Sequence, residues 1–451
     1  VTVTRLSALD ASFLAVETPT AHMHVGWVAM FSAPEDGRPP SFSALRDHIG
    51  TRIGRAPRYR QKLASVPLGL HSPEWADDAD FSVDRHVYWA PGPLPCLVDE
   101  VMSMPLRRDR PLWEMWVCED AGEGQFALVG KMHHCMVDGL AAVELASMLL
   151  DPSPEQISCE PDGWAAAPAP GNQRLLLGAV RDRVGEQLDL LRWPLRAVTS
   201  PSRVACELTS AIPRVTQALA HSLRPAPASP LNTPLSPSRR LTWAHRPLDD
   251  LRKVKRAHGT TVNDVLLAAV AGGMHKFMNG RGEQPVALKA MVPVSVRDNG
   301  DVLGNRVSFV FAELPCEEPN PVRRLHRVAT TMTQRKRDGV SEGADMAFKV
   351  AAYAPGVVQH AISRAFVSQR TFNLVVSNIP GPPLQMYMCG CPLRAAYPVV
   401  PLADRHALSV GMTSVGGRAC LGVYADRDAI PDAGRLAHDI DMAIGQLLAT
   451  T

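Results

Sequence analysis

Proline is the residue that most constrains how this chain can fold. Its locked φ and missing N–H keep it out of helix interiors and central strands, so a proline-dense stretch marks chain that lies outside a core. Residues 151–240 hold 13 of the 39 prolines, twice the density of the rest. That stretch reads as a connector, and a chain of 451 residues is long enough to fold on both sides of it. The expected organisation is residues 1–160 as an N-terminal half, 161–238 as the connector and 239–451 as a C-terminal half. Within the connector, Leu177, Val180, Val184, Leu188, Leu191 and Leu195 follow three- and four-residue steps, which predicts an amphipathic helix before and across Pro194. Residues 171–224 carry eight arginines against four acids, so the polar face is basic. Such a helix can pack on the body of the protein, rest on an anionic membrane surface, or do both.

Both halves alternate strands with helices. Gly124 to His133 reads as a strand with Phe126, Leu128 and Met132 on one face, followed by a helix from Leu140 to Leu150. In the second half, Thr260 opens a helix through Met278, and Val286 to Arg297 and Asn305 to Leu314 read as strands. Asn320 to Arg337 reads as a charged helix and Thr371 to Ile379 as a further strand. Ser409–Ser414 and Arg418–Tyr424 form a predicted hairpin about Gly416-Gly417, and an amphipathic helix closes the chain over Pro431–Leu448. This pattern is a mixed α/β protein of two similar-sized halves.

Composition narrows the function. Lys+Arg at 47 against Asp+Glu at 45 leaves a net charge of +2, which argues against a nucleic-acid partner. No apolar run reaches the roughly 18 residues of a spanning helix, and the first residues lack the pattern of a signal peptide. Nine scattered cysteines read as reduced thiols in a cytoplasmic protein. The Cys389/Cys391 pair lacks a second Cys/His pair, so no metal is expected.

The strongest local signal is His133-His134-Cys135-Met136-Val137-Asp138-Gly139, at the end of a predicted strand. Neighbours on a strand point to opposite faces, so one histidine can face a cleft while the other packs inward. Histidine suits proton abstraction from a hydroxyl near neutral pH. Asp138 can cap the helix that follows, and Gly139 permits a tight approach. Gly339-Val340-Ser341-Glu342-Gly343 matches G-x-S-x-G but follows a charged helix instead of a core strand, so Ser341 is rejected as a nucleophile. Neither a P-loop nor a dinucleotide-binding glycine fingerprint is present.

His133 to Gly139 resembles the HHxxxDG motif of the CoA-dependent acyltransferases, which include chloramphenicol acetyltransferase and condensation domains. More narrowly, the chain resembles the bacterial wax ester synthase/diacylglycerol acyltransferase family. Five further stretches carry that likeness in order. They are Leu6-Ser7-Ala8-Leu9-Asp10 with Ser12-Phe13-Leu14 and then Met23-His24-Val25, Pro111-Leu112-Trp113, Asn263-Asp264-Val265-Leu266-Leu267-Ala268, Pro293-Val294-Ser295-Val296-Arg297, and Ser377-Asn378-Ile379-Pro380-Gly381-Pro382.

The resemblance implies two chloramphenicol-acetyltransferase-like subdomains with mixed sheets and a central channel between them. It implies an acyl-CoA-dependent O-acyltransferase, with acyl-CoA as co-substrate and no further cofactor. The acceptor would be diacylglycerol or a long-chain alcohol, at a membrane or lipid-body surface on the cytoplasmic side. His134 would be the general base, and the alkoxide would attack the thioester directly. His133 would support it, and Asp138 would orient the motif through an arginine, with Arg60 the first candidate and Arg297 the second. Asn263 and Asp264 would line the substrate site or simply open their helix, and Ser377 and Asn378 would stand beside the channel. Two alternatives are a related enzyme acting on another hydroxyl and a lipid-binding protein with vestigial activity.

Overall fold

The computed structural model describes residues 5–34, 38–122, 124–136, 148–155, 163–199, 225–295, 307–337, 364 and 367–451. The N-terminal half contributes β1 (His24–Ser32), β2 (Gln61–Ala64), β3 (Glu74–Asp77), β4 (Val87–Trp89), β5 (Trp113–Cys118) and β6 (Gln125–His133). The C-terminal half contributes β7 (Arg239–Pro247), β8 (Leu288–Ser295), β9 (Val307–Leu314), β10 (Leu374–Ile379), β11 (Tyr387–Met388), β12 (Cys391–Val399), β13 (Leu408–Val415) and β14 (Arg418–Asp426). These strands form two six-stranded mixed sheets, ordered β11-β12-β1-β6-β5-β4 and β7-β14-β13-β10-β8-β9, plus the β2–β3 pair.

Side-chain alternation along β6 explains its place at the centre of the first sheet. Phe126, Leu128 and Met132 join one apolar cluster with Phe31, Ile49 and Trp113. Ala127 and Val129 turn the other way, into a cluster that runs on to Leu241, Val265 and Ile440 of the second half. A strand buried on both faces in this way reads as a continuous apolar run, and only Lys131 interrupts it.

The halves are joined by strand exchange. β12 comes late in the chain, yet it pairs antiparallel with β1, with Gly26 opposite Val399 and Val28 opposite Tyr397. It also lies across β13 and β14 of the second sheet. That crossing needs two glycines paired with each other, Gly411 and Gly422. A Cβ on Gly411 would come within 2.8 Å of the Pro398 ring, and one on Gly422 would strike the Pro398 carbonyl. A second tie is the helix Leu94–Ser103. Its Asp99 accepts from the Leu241 N–H, Ser103 Oγ accepts from the Arg239 N–H, and Met102 C=O accepts from the Tyr424 hydroxyl.

The helix Val262–Gly280 starts with a capping box, in which Thr261 Oγ1 accepts from the Asp264 N–H and Asp264 accepts from the Thr261 N–H. Asp264 to Met274 is then buried without a break, the pattern of a helix packed all round. The helices Ala433–Leu448, Pro321–Arg337 and Leu248–His258 surround it. Gly416 and Gly417 turn the β13–β14 hairpin with φ of 55° and 75°.

Most elements read from the sequence agree to within a few residues. The predicted segment Leu140–Leu150 lies outside the described residues except at its end, as does Ser341. The connector helix is present as Asn172–Thr199, but in its first half it packs by a different face from the one its periodicity singled out, the side chains of Leu188, Leu191 and Leu195 lying outside the described residues. Leu175 and Ala179 are buried, whereas Leu177, Val180 and Val184 are 71%, 49% and 53% exposed. The docked face is held by polar contacts. Arg5 bridges Asp182 of this helix to Glu74 of β3 at 2.9 and 2.5 Å, and Gly178 lies against both partners of the latter pair.

Candidate active site

At the end of β6 the strand gives way to a single helical turn, His134–Met136. His133 remains in the sheet, opposite His24 of β1, and is 1% exposed. Its backbone N–H donates to Leu112 C=O at 3.0 Å. Its Nδ1 accepts from the Cys135 N–H at 3.1 Å, which places the ring proton on Nε2. That nitrogen lies 3.8 Å from the Glu17 carboxylate, which is paired with Arg108. Burial, then the nearby Arg108 cation, holds the His133 pKa well below the ordinary value, so the ring is neutral.

His134 is differently placed. Its backbone N–H donates to Met23 C=O at 3.0 Å, where Met23 takes a left-handed φ of 49° just before β1 begins. Its ring stacks on Phe13, with centroids 3.7 Å apart and planes 18° from parallel. Phe13 belongs to the helix Ala8–Val16, whose N-cap Ser7 accepts from the Asp10 N–H. Nδ1 of His134 is buried without a hydrogen-bond partner, while the residue as a whole is only partly buried. Burial lowers its pKa to about 4. Among the described residues no ion pair reaches the ring. The imidazole is therefore an unprotonated base near neutral pH, with one edge open.

The adjacent thiol is not a nucleophile. Cys135 is 2% exposed and burial pushes its pKa up to about 12, so no thiolate forms near pH 7. Beneath the histidines, Lys131 is fully buried and donates to Val101 C=O and Met104 C=O at 2.8 and 2.9 Å, with Glu114 at 3.3 Å. Burial and the Lys131 charge also push the His24 pKa well down. Among the described residues, no group of three or more His, Cys, Asp or Glu side chains is arranged to hold a metal ion.

Three of the sequence motifs thus meet at one place. The first helix supplies Phe13, the turn before β1 supplies the Met23 carbonyl, and Leu112 receives the His133 N–H beside the core side chain of Trp113. Asp138, Gly139 and Arg297 lie outside the described residues. Arg60 sits in a cage of rings, its guanidinium 4.9 Å from the Trp164 ring and 5.9 Å from that of Phe81. The Asp264 carboxylate is committed to the capping box, and Asn263 beside it is partly exposed. Ser377 and Asn378 lie on β10, paired with Gly411 and Met412, the former buried and the latter partly open. Among the described residues no hydrogen bond links either of them to the His134 turn. Sequence reasoning overlooked Phe13, Met23, Glu17 and Arg108 as neighbours of the histidines. The only signal was that Phe13 and Met23 fall within motifs to which no role had been attached.

Two mixed sheets sharing an exchanged strand, with paired histidines closing a central strand, define the fold class of the HHxxxDG acyltransferases. Residues 6–266 match the wax ester synthase/diacylglycerol acyltransferase catalytic domain and residues 303–447 match the C-terminal domain of the same family, to which this chain belongs. It is an acyltransferase of that family. A probable diacylglycerol O-acyltransferase of Mycobacterium tuberculosis is 33% identical, the alignment covering 98% of this chain and 96% of that protein. A putative diacylglycerol O-acyltransferase of Mycobacterium bovis is 28% identical over 97% of this chain and 98% of that protein. Among solved structures, the wax ester synthase/diacylglycerol acyltransferase from Marinobacter aquaeolei VT8 matches with a TM-score of 0.69 and 26% identity, covering 99% of both chains. The starter condensation domain of rhizomide synthetase, at 16% identity and a TM-score of 0.55 over 100% of this chain and 95% of that one, shares the fold.

Proposed function

We propose that this acyltransferase moves a long acyl chain from acyl-CoA to the hydroxyl of diacylglycerol, of a long-chain alcohol, or of both, with His134 as general base. The observation that carries the reading is the His134 imidazole, neutral and held face-on by Phe13, with one edge open and, among the described residues, no nucleophile beside it. Nδ1 is buried without a partner, so Nε2 is the nitrogen left to act as base. Nε2 takes the proton of the acceptor hydroxyl as its oxygen bonds to the thioester carbon. The C–S bond then breaks, and the imidazolium returns the proton to the departing thiolate, giving one ester and one free CoA thiol. An alkyl thiol has a pKa of about 8.5, so that last transfer is downhill by roughly 4 units. Among the described residues no carboxylate pairs with the imidazolium, and burial disfavours its charge, which favours prompt return of the proton.

Asp138 orients this turn in the proposal, and Asn263, Ser377 and Asn378 bound the space into which the substrates enter. Acyl acceptors of this kind reside in lipid. The exposed stripe of Leu177, Val180 and Val184, flanked by Arg181 and Arg183 and close to the 90% exposed Leu68, supports contact with an anionic lipid surface. Among the described residues no helix is long and apolar enough to cross a membrane.

The test is thiol release from palmitoyl-CoA by purified protein, offered diolein and hexadecanol in parallel, with His134→Ala as control. Acceptor-dependent release that falls on the order of 10²–10⁴-fold in the variant supports the mechanism. Full turnover by a folded His134→Ala protein would overturn it. Release with neither acceptor would leave an enzyme for another hydroxyl or a lipid-binding protein.

A further inference from the structure

The helices that cover the second sheet leave a cavity of about 460 Å³ between Val262–Gly280, Pro321–Arg337 and Ala433–Leu448. It lies on the far side of that sheet from the first half. Tyr424 of β14 reaches Met102 of the N-terminal half, whereas Thr242, paired with Val423 on the opposite face, meets the closing helix at the Ala433 carbonyl. The cavity is therefore separate from the His134 site.

Its lining is cationic, with Lys276, Arg324 and Arg435 beside His275, Asn279 and Gln446. Arg324 is the unusual member. It is 2% exposed, its Nη1 donates to Glu318 C=O at 2.8 Å, and its Nε is buried with no partner. Among the described residues no carboxylate stands within ion-pair distance of it. A buried guanidinium without a counter-ion is costly, and proteins ordinarily pair such a charge or leave it for a ligand to pair. The nearest carboxylate that meets the other cations is Asp439, 3.8 Å from both Lys276 Nζ and Arg435 Nε. Glu318 is engaged with Arg323 at 3.0 Å. Three cations thus face one carboxylate.

The helix that forms the floor is shaped for these groups. A Cβ on Gly272 would lie 2.6 Å from Arg324 Nη2 and 2.9 Å from the Ala443 methyl, and one on Gly280 would strike the Arg435 guanidinium. Glycine inside a helix lowers stability by about 1 kcal/mol relative to alanine, so Gly272 marks a place where a guanidinium lies close to the helix backbone, and Gly280 ends the helix against the second guanidinium. Asn279 adds a polar edge, its amide N–H₂ directed to His275 Nε2 while His275 Nδ1 donates to Cys316 C=O.

We infer that this cavity is an oxoanion site for a phosphate monoester, with the Arg324 and Arg435 guanidinium groups and the Lys276 ammonium meeting the phosphate oxygens. Planar guanidinium groups match tetrahedral oxoanions through paired N–H donors, and Lys276 adds a mobile point charge. The volume exceeds that of bare phosphate and suits a small phosphorylated molecule or a phosphorylated lipid headgroup. The inference does not depend on the acyltransfer reaction.

Binding is tested by calorimetry and thermal unfolding with inorganic phosphate and glycerol 3-phosphate, against chloride at equal ionic strength. Vesicles of phosphatidylcholine with and without phosphatidic acid provide the lipid arm. The variants are Lys276→Gln and Arg435→Gln, both on exposed side chains. Arg324→Met is added for the buried group, because a charge replaced by an apolar side chain of similar length is often tolerated. We expect saturable binding of phosphate or glycerol 3-phosphate, weakened on the order of tenfold in each variant. Preference for glycerol 3-phosphate assigns a soluble ester, and binding confined to phosphatidic acid vesicles and lost in the variants assigns a headgroup. Equal response to phosphate and chloride with no phosphatidic acid dependence, or binding unchanged in all three variants, would overturn the inference.

Discussion

The lowered pKa of His134 has a consequence that ordinary histidine chemistry would not produce. If His134 is the base, the acid limb of kcat/KM reports its ionisation, and that limb lies near pH 4 and not near 6.5. At about pH 5.5 a base of pKa 6.5 is only about one-tenth unprotonated, whereas one of pKa about 4 is almost wholly free. Thiol release from palmitoyl-CoA, read with a dithiodipyridine reagent that works in acid, should therefore be nearly flat from about pH 7.5 to about 5.5. The same shift affects stability. The folded ring resists protonation while the unfolded chain accepts a proton below its ordinary value of 6.5, so stability is lost as pH falls from 6.5 towards 4. At about pH 5 the loss from this one residue is at most about 2 kcal/mol, a figure reduced by whatever water reaches the open edge of the ring. His134→Gln removes that proton-linked loss, so the gap between variant and wild-type denaturation midpoints should widen in favour of the variant between about pH 7 and 5. An activity limb centred at pH 6.5, with no change in the stability gap, would refute a buried neutral His134.

Four other outcomes follow from the geometry. Phe13→Leu removes a stacked ring worth about 0.5–1.5 kcal/mol of orientation, so kcat should fall roughly tenfold with little change in the palmitoyl-CoA KM; an unchanged kcat would deny Phe13 its positioning role. Arg52 and Asp151 form an ion pair in which Nη2 donates to both carboxylate oxygens at 2.9 and 2.8 Å, with side chains 4% and 3% exposed, and Asp151→Ala should cost about 3–5 kcal/mol in urea unfolding. Gly422→Ala drives a methyl into the Pro398 carbonyl beneath the exchanged strand, and should lower Tm and loosen amide protection along β12 and β1 together. Leu177→Glu combined with Val180→Glu should leave Tm nearly unchanged, both side chains being exposed, yet reduce sedimentation with phosphatidylglycerol vesicles; equal sedimentation would remove the lipid role of that stripe.

Much of the fold was legible where local signals agree. The helix Val262–Gly280 announces itself through Thr261 and Asp264 at capping-box spacing before a long apolar run, and the β13–β14 hairpin through Gly416-Gly417 between alternating strands. β12 was not legible. Nothing within Cys391–Val399 says that it pairs with β1, more than 350 residues earlier, because that pairing and the seating of Pro398 over Gly411 and Gly422 exist only between segments distant in sequence. The connector helix shows the same division. Its amphipathic period was readable, but in its first half the docked face is set by Leu175, by the small residues Gly178 and Ala179 and by the Arg5–Asp182 contact, which leaves Leu177, Val180 and Val184 outside.

The candidate site divides in the same way. Sequence alone determined that a strand ends at the paired histidines and that the two side chains stand in different surroundings, since these follow from the apolar run before them and the change of local structure there. Tertiary structure decided which histidine is locked, which keeps an open edge, and how basic each one is. Those properties arise from Glu17, Arg108, Phe13 and the Met23 carbonyl, brought from parts of the chain distant in sequence to surround the end of β6. A pKa depends on the dielectric and charges within a few ångströms, and that neighbourhood exists only once the chain has folded.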